Sequence, residues 1–492
     1  MKNNYICFFM LLIVFTILAC ESSSNPEDFK AKNIDKVREI INSYDKNLGF
    51  SGNILIGQGD SIIYHSENGF SDYGEKKRNA SKTKFRLASL SKQFTAAALL
   101  VLEQQRKVDF NEPLSTYIKE LKPEIADKIT IHQILSHSSG LGRDIETLSN
   151  KPLGQSYITL DEIIKLINTS DLYYEPGKKW SYSNLGYAVA AKIIEEVSGM
   201  DYGDAMKELI FQPLGMYNTG HESSKISIDH MAKGYVDMPE EIIDAMYEDK
   251  SYVIGAGSIY STTEDMFTWA RELMNGGKVI NEKSRKKLFS KQGGRGYSYG
   301  WYVANYVWSP VNEKTQAINI HHDGGCPGFS SKLSILSKHN LVIIVLSNKV
   351  PAHISTIANK VTNTVLGFEY EGNAKENHNK AFFDILFEQG IEALVSTEIE
   401  WKSSKPDYYV PSSSDIFLIG RGYLESNDYQ KAYKVMDYLI HTSPEWTYPY
   451  LFKGFGKEEE GKREEAVSLY KKVLEIDPKQ SNALGRLKQL KN

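Results

Sequence analysis

The sequence predicts an α+β fold built on an antiparallel sheet and followed by a small all-α repeat domain. Three observations carry this. An amphipathic pattern (Ile34, Val37, Ile40 and Ile41 with charges between) precedes two short runs joined by the turn Gln58-Gly-Asp60, and another helical stretch follows. The apolar run Leu341-Val-Ile-Ile-Val-Leu-Ser-Asn348 has the composition of a buried central strand. Gly420, Gly422, Ala432, Leu439 and Pro444 recur 34 residues later as Gly454, Gly456, Ala466, Val473 and Pro478. A length of 492 residues suits two or three such units.

Residues 1–19 have the form of an export signal: Lys2, an apolar run from Tyr5 to Leu18, and the ending Thr16-Ile-Leu-Ala-Cys20. The run is short for a membrane-spanning helix. A small residue directly before a cysteine resembles the lipobox of bacterial lipoproteins, which implies that Cys20 becomes the lipidated first residue of the mature chain. An ordinary secretory signal with a chance cysteine is the alternative. Residues 20–32 then form a tether, Ser-rich from Glu21 to Glu27. With Cys7 in the signal and Cys20 lipidated, Cys326 is the only remaining thiol, so a disulfide framework is excluded. Hydrophobic residues at 41% and charged residues at 24% allow a sizeable core. A net charge of −4 and the lack of a long basic run argue against nucleic acid as a partner, and Lys76-Lys77-Arg78 and Arg285-Lys286-Lys287 read as solvated faces.

In chain order, a helix over 33–44 and strands over 51–57 and 61–65 lead to Phe85-Arg-Leu-Ala-Ser-Leu-Ser-Lys-Gln-Phe-Thr-Ala-Ala-Ala-Leu-Leu100. On a helix Ser89 and Lys92, three apart, share a face, which brings an amine within reach of a hydroxyl. A desolvated lysine that has lost its proton is a base able to activate a serine, and a helix N-terminus favours negative charge developing beside it. The alternative is a capped amphipathic helix, with Ser89 or Ser91 as N-cap and Phe94, Ala97, Ala98 and Val101 in the core.

Residues 105–118 read as a loop entering a short helix. In Ile129-Thr-Ile-His-Gln-Ile-Leu-Ser-His-Ser-Ser-Gly-Leu141, His132 and His137 are five apart with no third ligand in register, which points to structural histidines rather than a metal site. Glu175-Pro-Gly-Lys-Lys-Trp-Ser-Tyr-Ser-Asn-Leu-Gly-Tyr187 is a turn followed by a helix with Leu185, Val189 and Ile193 on its apolar face. Tyr182 and Asn184, two apart, suit a loop that presents both side chains to one cleft; a Ser/Asn-capped helix with an aromatic staple fits as well. Cys326 lacks the His–Asn partners of a thiol nucleophile. A helix over 354–366 is expected to pack on the 341–348 strand. Residues 371–380 are polar and without periodicity, and one helix over 381–395 follows.

Ser89-x-x-Lys92, then Tyr182-Ser-Asn184, then His322-Asp-Gly324 in a strand context resemble the three motifs of the serine β-lactamase and penicillin-binding-protein superfamily. The resemblance is strongest to its class C β-lactamase, D-aminopeptidase and esterase branch. Residues 131–141, Gln212-Pro-Leu-Gly-Met216, Gly255-Ala-Gly-Ser-Ile-Tyr-Ser-Thr-Thr-Glu-Asp265 and Tyr299-Gly-Trp-Tyr302 resemble that branch too. The likeness implies a β-lactamase/transpeptidase-like fold, with an antiparallel sheet flanked by helices and a mostly helical subdomain. It implies Ser89 as the acylated nucleophile, with Lys92 and Tyr182 sharing the proton work through a cationic lysine that lowers the phenol pKa. It further implies Asn184 as holder of an acyl-side amide, the third motif as an edge strand of the cleft, and the N–H groups of Ser89 and Gly325 as an oxyanion hole. No metal or organic cofactor is implied.

The third motif departs from that of β-lactamases, which usually carry Lys, then Thr or Ser, then Gly, and bind the substrate carboxylate with the cation and hydroxyl. Here His322 is only partly charged at neutral pH, and Asp323 repels a carboxylate unless His322 offsets it. His-x-Gly occurs in peptidase and esterase members, which moves the expectation from penicillins to peptides and esters. His321 is expected on the opposite strand face.

The expected organisation is therefore a signal over 1–19, a tether over 20–32, a hydrolase domain over 33–370, a linker with one helix over 371–412, and two repeats with a capping helix over 413–492. The repeats resemble tetratricopeptide repeats, with the 381–395 and 481–490 helices as caps, serving either stability or the docking of a protein partner. The expected function is an exported, lipid-anchored serine hydrolase of a bacterial cell envelope, acting on a D-amino-acid peptide or small ester. The alternatives are a true β-lactamase or penicillin-binding DD-carboxypeptidase, and a non-catalytic scaffold holding a cell-wall fragment.

Overall fold

A computed structural model describes residues 26–144, 157–223, 227–305, 307–309, 313–315, 318–368, 372–404, 408–478 and 480–491. The expected signal, Cys20 and the Ser-rich start of the tether lie outside the described residues. The apolar runs assemble into a seven-stranded antiparallel sheet of β1 (Gly52–Gln58), β2 (Ser61–Asn68), β3 (Tyr297–Ser298), β4 (Trp301–Ala304), β5 (Asn319–Cys326), β6 (Phe329–Leu336) and β7 (Leu341–Ser347). The strand order is β3-β4-β5-β6-β7-β1-β2, so the first and last strands of the domain are neighbours.

The helices that cover this sheet are α1 (Pro26–Leu48), α2 (Ser91–Gln104), α3 (Asn184–Ser198), α4 (Thr263–Asn275) and α5 (Ile354–Val365). β7 explains its own continuous hydrophobicity. Ile343 and Val345 pack with Val37 and Ile41 of α1 and Ile357 of α5, whereas Val342 and Ile344 enter the larger core that holds α2 and α4. Both faces of the strand are covered, which is why polar and apolar residues do not alternate along it.

α2 departs from the expected single stripe. Every residue from Ser91 to Leu102 is buried, polar ones included. Two of its buried polar atoms find partners: Gln93 Oε1 accepts from Trp269 Nε1–H at 3.2 Å, and Thr95 Oγ1 donates to the Gly255 carbonyl at 2.6 Å, while Gln93 Nε2 has no hydrogen-bond partner among the described residues. The expected caps are absent too, since Leu90 occupies the N-cap without a side-chain bond.

The expected linker is structured. Residues 371–412 hold two helices, α6 (Asn379–Glu388) and α7 (Ile391–Ser404), in place of one over 381–395. The break falls at Gly390, whose φ of +88° ends the first helix in the left-handed region. Phe382, Phe383 and Leu386 join Val236, Met238, Val350 and Ile419 in one hydrophobic cluster, so this segment cements the sheet-containing domain to the C-terminal helices. Those helices are α8 (Ser413–Glu425), α9 (Tyr429–Thr442), α10 (Thr447–Glu459), α11 (Arg463–Ile476) and α12 (Ser481–Lys491).

Each 34-residue unit is thus a helix pair, and the recurring glycines mark close helix crossings. A Cβ on Gly420 would lie 2.8 Å from Val435 Cγ1, and one on Gly454 would lie 2.5 Å from Tyr470 Cε1. The pairs are pinned to the sheet-containing domain at Glu240, which accepts from Tyr423 Oη at 2.8 Å and pairs with Lys431 at 2.7 Å. Among the described residues no helix is long and apolar enough to cross a membrane.

Candidate active site

The nucleophile sits on an elbow. Phe85–Arg86 pairs with Ile259–Ser261, and a 3₁₀ turn over Ala88–Leu90 then feeds α2. Ala88 has a φ of +46°, a conformation costly for a residue with a Cβ. The surroundings hold it there: Leu87 donates its N–H to the Ile259 carbonyl at 2.9 Å and accepts from Ser331 Oγ at 2.7 Å. Ser91, rather than capping, accepts the Ile259 N–H on its hydroxyl at 3.0 Å.

Lys92 Nζ lies 3.2 Å from Ser89 Oγ and donates to the Ala256 carbonyl at 2.8 Å. The side chain is fully buried, and that desolvation carries its pKa well below the ordinary lysine value. Tyr182 is hydrogen-bonded to Ser89, and its ring centroid is 4.8 Å from Lys92 Nζ. Burial pushes the Tyr182 phenol far above its usual pKa. Burial thus disfavours the charged form of both groups, which works against the expected arrangement of an ammonium that acidifies a phenol.

His137 is the support that sequence spacing did not show. Its ring lies tilted against those of Tyr182 and Tyr297, at centroid distances of 4.3 and 4.4 Å, and its Nδ1 accepts the Ser183 N–H at 3.1 Å. Burial keeps it neutral, well below its ordinary pKa. His132 meets Tyr299 Oη at 2.7 Å. Both histidines are structural, as their spacing suggests.

Asn184 opens α3, and its two sequence readings coexist. Ser183 caps the helix, accepting from the Gly186 N–H at 3.0 Å and donating to the Gly142 carbonyl at 2.6 Å. Asn184 Nδ2 donates to Asp144 Oδ1 at 2.5 Å, while its Oδ1 has no hydrogen-bond partner among the described residues.

The third motif lies on β5. That strand is internal to the sheet, yet β4 pairs with it only as far as Tyr302↔His321, which leaves residues 322–326 open on one side. His322 pairs with Leu333, and that register sets it on the face of the larger core. It is 2% exposed, and burial drives its pKa down to about 3, so the expected partial cation is a neutral imidazole. Its Nδ1 lies 2.6 Å from the Asp323 carbonyl.

Asp323 pairs with Lys332 in the register of the opposite face. Burial alone would raise its pKa, but hydrogen bonds and charge from His321 and Lys332 hold the carboxyl well below the usual range. Lys332 Nζ is 2.5 Å from Oδ1, and Ser355 Oγ donates to Oδ2 at 3.0 Å. The expected repulsion is therefore offset, and by Lys332 rather than His322. His321 shares that opposite face and stacks on Tyr302.

Gly324 joins this strand to the elbow. A Cβ there would lie 2.2 Å from the Leu87 carbonyl oxygen, 2.4 Å from Ser331 Oγ and 3.1 Å from Ser89 N. Gly325, next along, faces open space.

These groups line a cleft of about 970 Å³ that includes Ser89, Tyr182, Asn184, His322 and Gly325. One wall is unexpected: Thr447 and Tyr448 come from the first turn of α10, and Asp477 and Gln480 from the turn between α11 and α12. No motif in the repeats signals this, because it depends on how the pairs dock. The cleft thus joins a serine, a buried amine and a phenol, a set able to transfer an acyl group.

Residues 37–361 match the β-lactamase family. Penicillin-binding protein 4* of Bacillus subtilis is 32% identical over 319 residues, which are 61% of this chain and 68% of that protein. A putative penicillin-binding protein of the same organism, PbpX, is 30% identical over 343 residues, 69% of this chain and 81% of its own length. A D-amino acid amidase structure from Ochrobactrum anthropi aligns over 68% of this chain and 97% of its own, with a TM-score of 0.58 and 23% identity, a likeness of fold.

Proposed function

Because the chain belongs to the serine β-lactamase and penicillin-binding-protein superfamily, we propose that it is an exported serine hydrolase that forms an acyl-enzyme on Ser89. The observation that carries this reading is the Ser89 hydroxyl held between a fully buried Lys92 amine and the Tyr182 phenol. As Ser89 Oγ attacks the carbonyl carbon of an amide or ester, Lys92 takes the hydroxyl proton on its free lone pair. The Ala256 carbonyl orients that amine. The tetrahedral oxyanion is bound by the N–H groups of Ser89 and Gly325. Tyr182 gives its proton to the leaving amine or alcohol as the bond to it breaks and regains one from the Lys92 ammonium, and a water then releases the acyl group by the reverse sequence. The free Oδ1 of Asn184 suits the N–H of an acyl-side amide.

The substrate class that fits is a D-amino-acid peptide or small ester, in keeping with the amidase and penicillin-binding relatives. A second reading, turnover or capture of penicillins, gains from the pairing of Asp323 with Lys332, which lifts the repulsion of a carboxylate. The cell envelope is the proposed location, with Cys20 lipidated. The test is hydrolysis by the full chain of 4-nitrophenyl acetate, D-alanyl amides and a penicillin, each against Ser89→Ala. Turnover of ester or D-amide that Ser89→Ala abolishes supports the reading; turnover equal in both proteins refutes it.

A further inference from the structure

The charges that line the cleft leave one group without a counterpart. Lys92 is fully buried with its Nζ against Ser89 Oγ and the Ala256 carbonyl, and burial leaves His322 neutral. Arg143 is paired with Asp144 at 3.1 Å. Arg295 lines the same cleft, and among the described residues it has no hydrogen bond or ion pair. The cleft carboxylates are occupied: Lys332 and Ser355 hold Asp323, and Asp477 on the repeat wall has interactions of its own.

The loop that carries Arg295 is built to present it. Arg295 has φ 58° and ψ 21°, a left-handed conformation that a residue with a Cβ adopts only when its surroundings enforce it. The N–H groups of Gln292 and Gly293 both donate to the Tyr297 carbonyl, at 3.0 and 2.9 Å, and close the loop. Glycines let it lie flat on Trp180: a Cβ on Gly294 would come within 2.7 Å of Trp180 Cβ, and one on Gly293 within 2.5 Å of the Ser136 carbonyl oxygen. The guanidinium carbon sits 5.2 Å from the Trp180 ring centroid. Stacking of this kind uses the planar face of the guanidinium and leaves its N–H edge to bind.

We propose that Arg295 is the binding group for a free carboxylate on the substrate, so that the cleft selects peptides or ester acids over their neutral amides. The fork of a guanidinium matches a carboxylate with two parallel N–H···O bonds. The proposal rests on the acyl-transfer reading for the word substrate, but its test is equilibrium binding and does not require turnover.

The experiment is calorimetric titration of the full-length Ser89→Ala chain with N-acetyl-D-alanyl-D-alanine and with its C-terminal amide. The acid is expected to bind about ten- to a hundredfold more tightly, the span of one charge-assisted contact. Adding Arg295→Ala is expected to bring the two affinities together, and Arg295→Lys to restore part of the gap. Should the alanine chain not fold, Arg295→Gln keeps the stem over Trp180 and is expected to lose the gap likewise. Equal affinities in the starting chain, no binding of either ligand, or a gap that survives loss of Arg295 but vanishes with Arg143→Ala would each overturn the proposal. Failure of wild-type hydrolysis with the binding gap intact would instead count against the hydrolase reading alone.

Discussion

Gly324→Ala is the perturbation in which the geometry makes its firmest demand. The added methyl would lie 2.2 Å from the Leu87 carbonyl oxygen and 2.4 Å from Ser331 Oγ. Ordinary non-bonded contact needs about 3.5 Å, so strand and elbow must separate by roughly 1 Å. The nearest clashing atom is the Leu87 backbone carbonyl, so turning the Ser331 hydroxyl away does not relieve the clash. A shift of about 1 Å in a reacting group costs on the order of a hundredfold in rate, and an over-packed contact costs about 1–3 kcal/mol of stability. Gly325→Ala is the matched comparison, because its methyl meets nothing within 4 Å. The assay is kcat/KM for 4-nitrophenyl acetate together with the urea midpoint. Gly324→Ala is expected to lose about a hundredfold and Gly325→Ala at least tenfold less than that. Losses of equal size, or a Gly324→Ala enzyme within threefold of wild type, would refute the proposed coupling between third motif and nucleophile.

Three further outcomes follow from the same structure. The folded pKa of Lys92 lies well below the unfolded value of about 10.4, so the unfolded chain binds the extra proton between the two and this group's contribution to stability rises with pH through that window. Fluorophosphonate labelling of Ser89 is accordingly expected to reach its plateau below the pH at which an ordinary lysine titrates and to fall on the acid side, whereas an acid limb near pH 10 would contradict a lowered Lys92 pKa. Arg86 and Glu222, each 13% exposed, form a two-bond pair at 2.6 and 2.8 Å just before the elbow; Arg86→Ala is expected to cost about 3 kcal/mol in chemical denaturation, and a loss under about 1 kcal/mol would mean the pair is solvated. Gly454→Val places its first carbon 2.5 Å from Tyr470 and is expected to destabilise the helix pairs by about 1–3 kcal/mol, read as a lower melting temperature; an unchanged melt would show that the crossing is loose.

Local patterns carried much of this architecture. The 341–348 run is β7, the Gln58-Gly-Asp60 turn joins β1 to β2, and the glycine period marks the helix crossings. Ser89, Lys92, Tyr182, Asn184, His322 and Gly325 are distant in sequence, and the structure brings them to one cleft. What escaped were properties that depend on burial and docking. His322 is partly charged in a sequence but neutral in a dry site, and burial disfavours the charged form of Lys92. Asp323 looks like a free anion until β6 sets Lys332 opposite it. The break at Gly390 needed a backbone angle, and the contribution of Tyr448 to the cleft needed the packing of Val236 and Met238 against the C-terminal helices.

The central claim is that Ser89 is a nucleophile activated by Lys92, and intact mass after exposure to a fluorophosphonate tests it most directly. The account predicts one adduct on the full chain, mapped to the peptide containing Ser89, absent in Ser89→Ala and slowed by on the order of a hundredfold or more in Lys92→Met. No adduct on the wild-type chain, or labelling of Ser89→Ala at the wild-type rate, would contradict it.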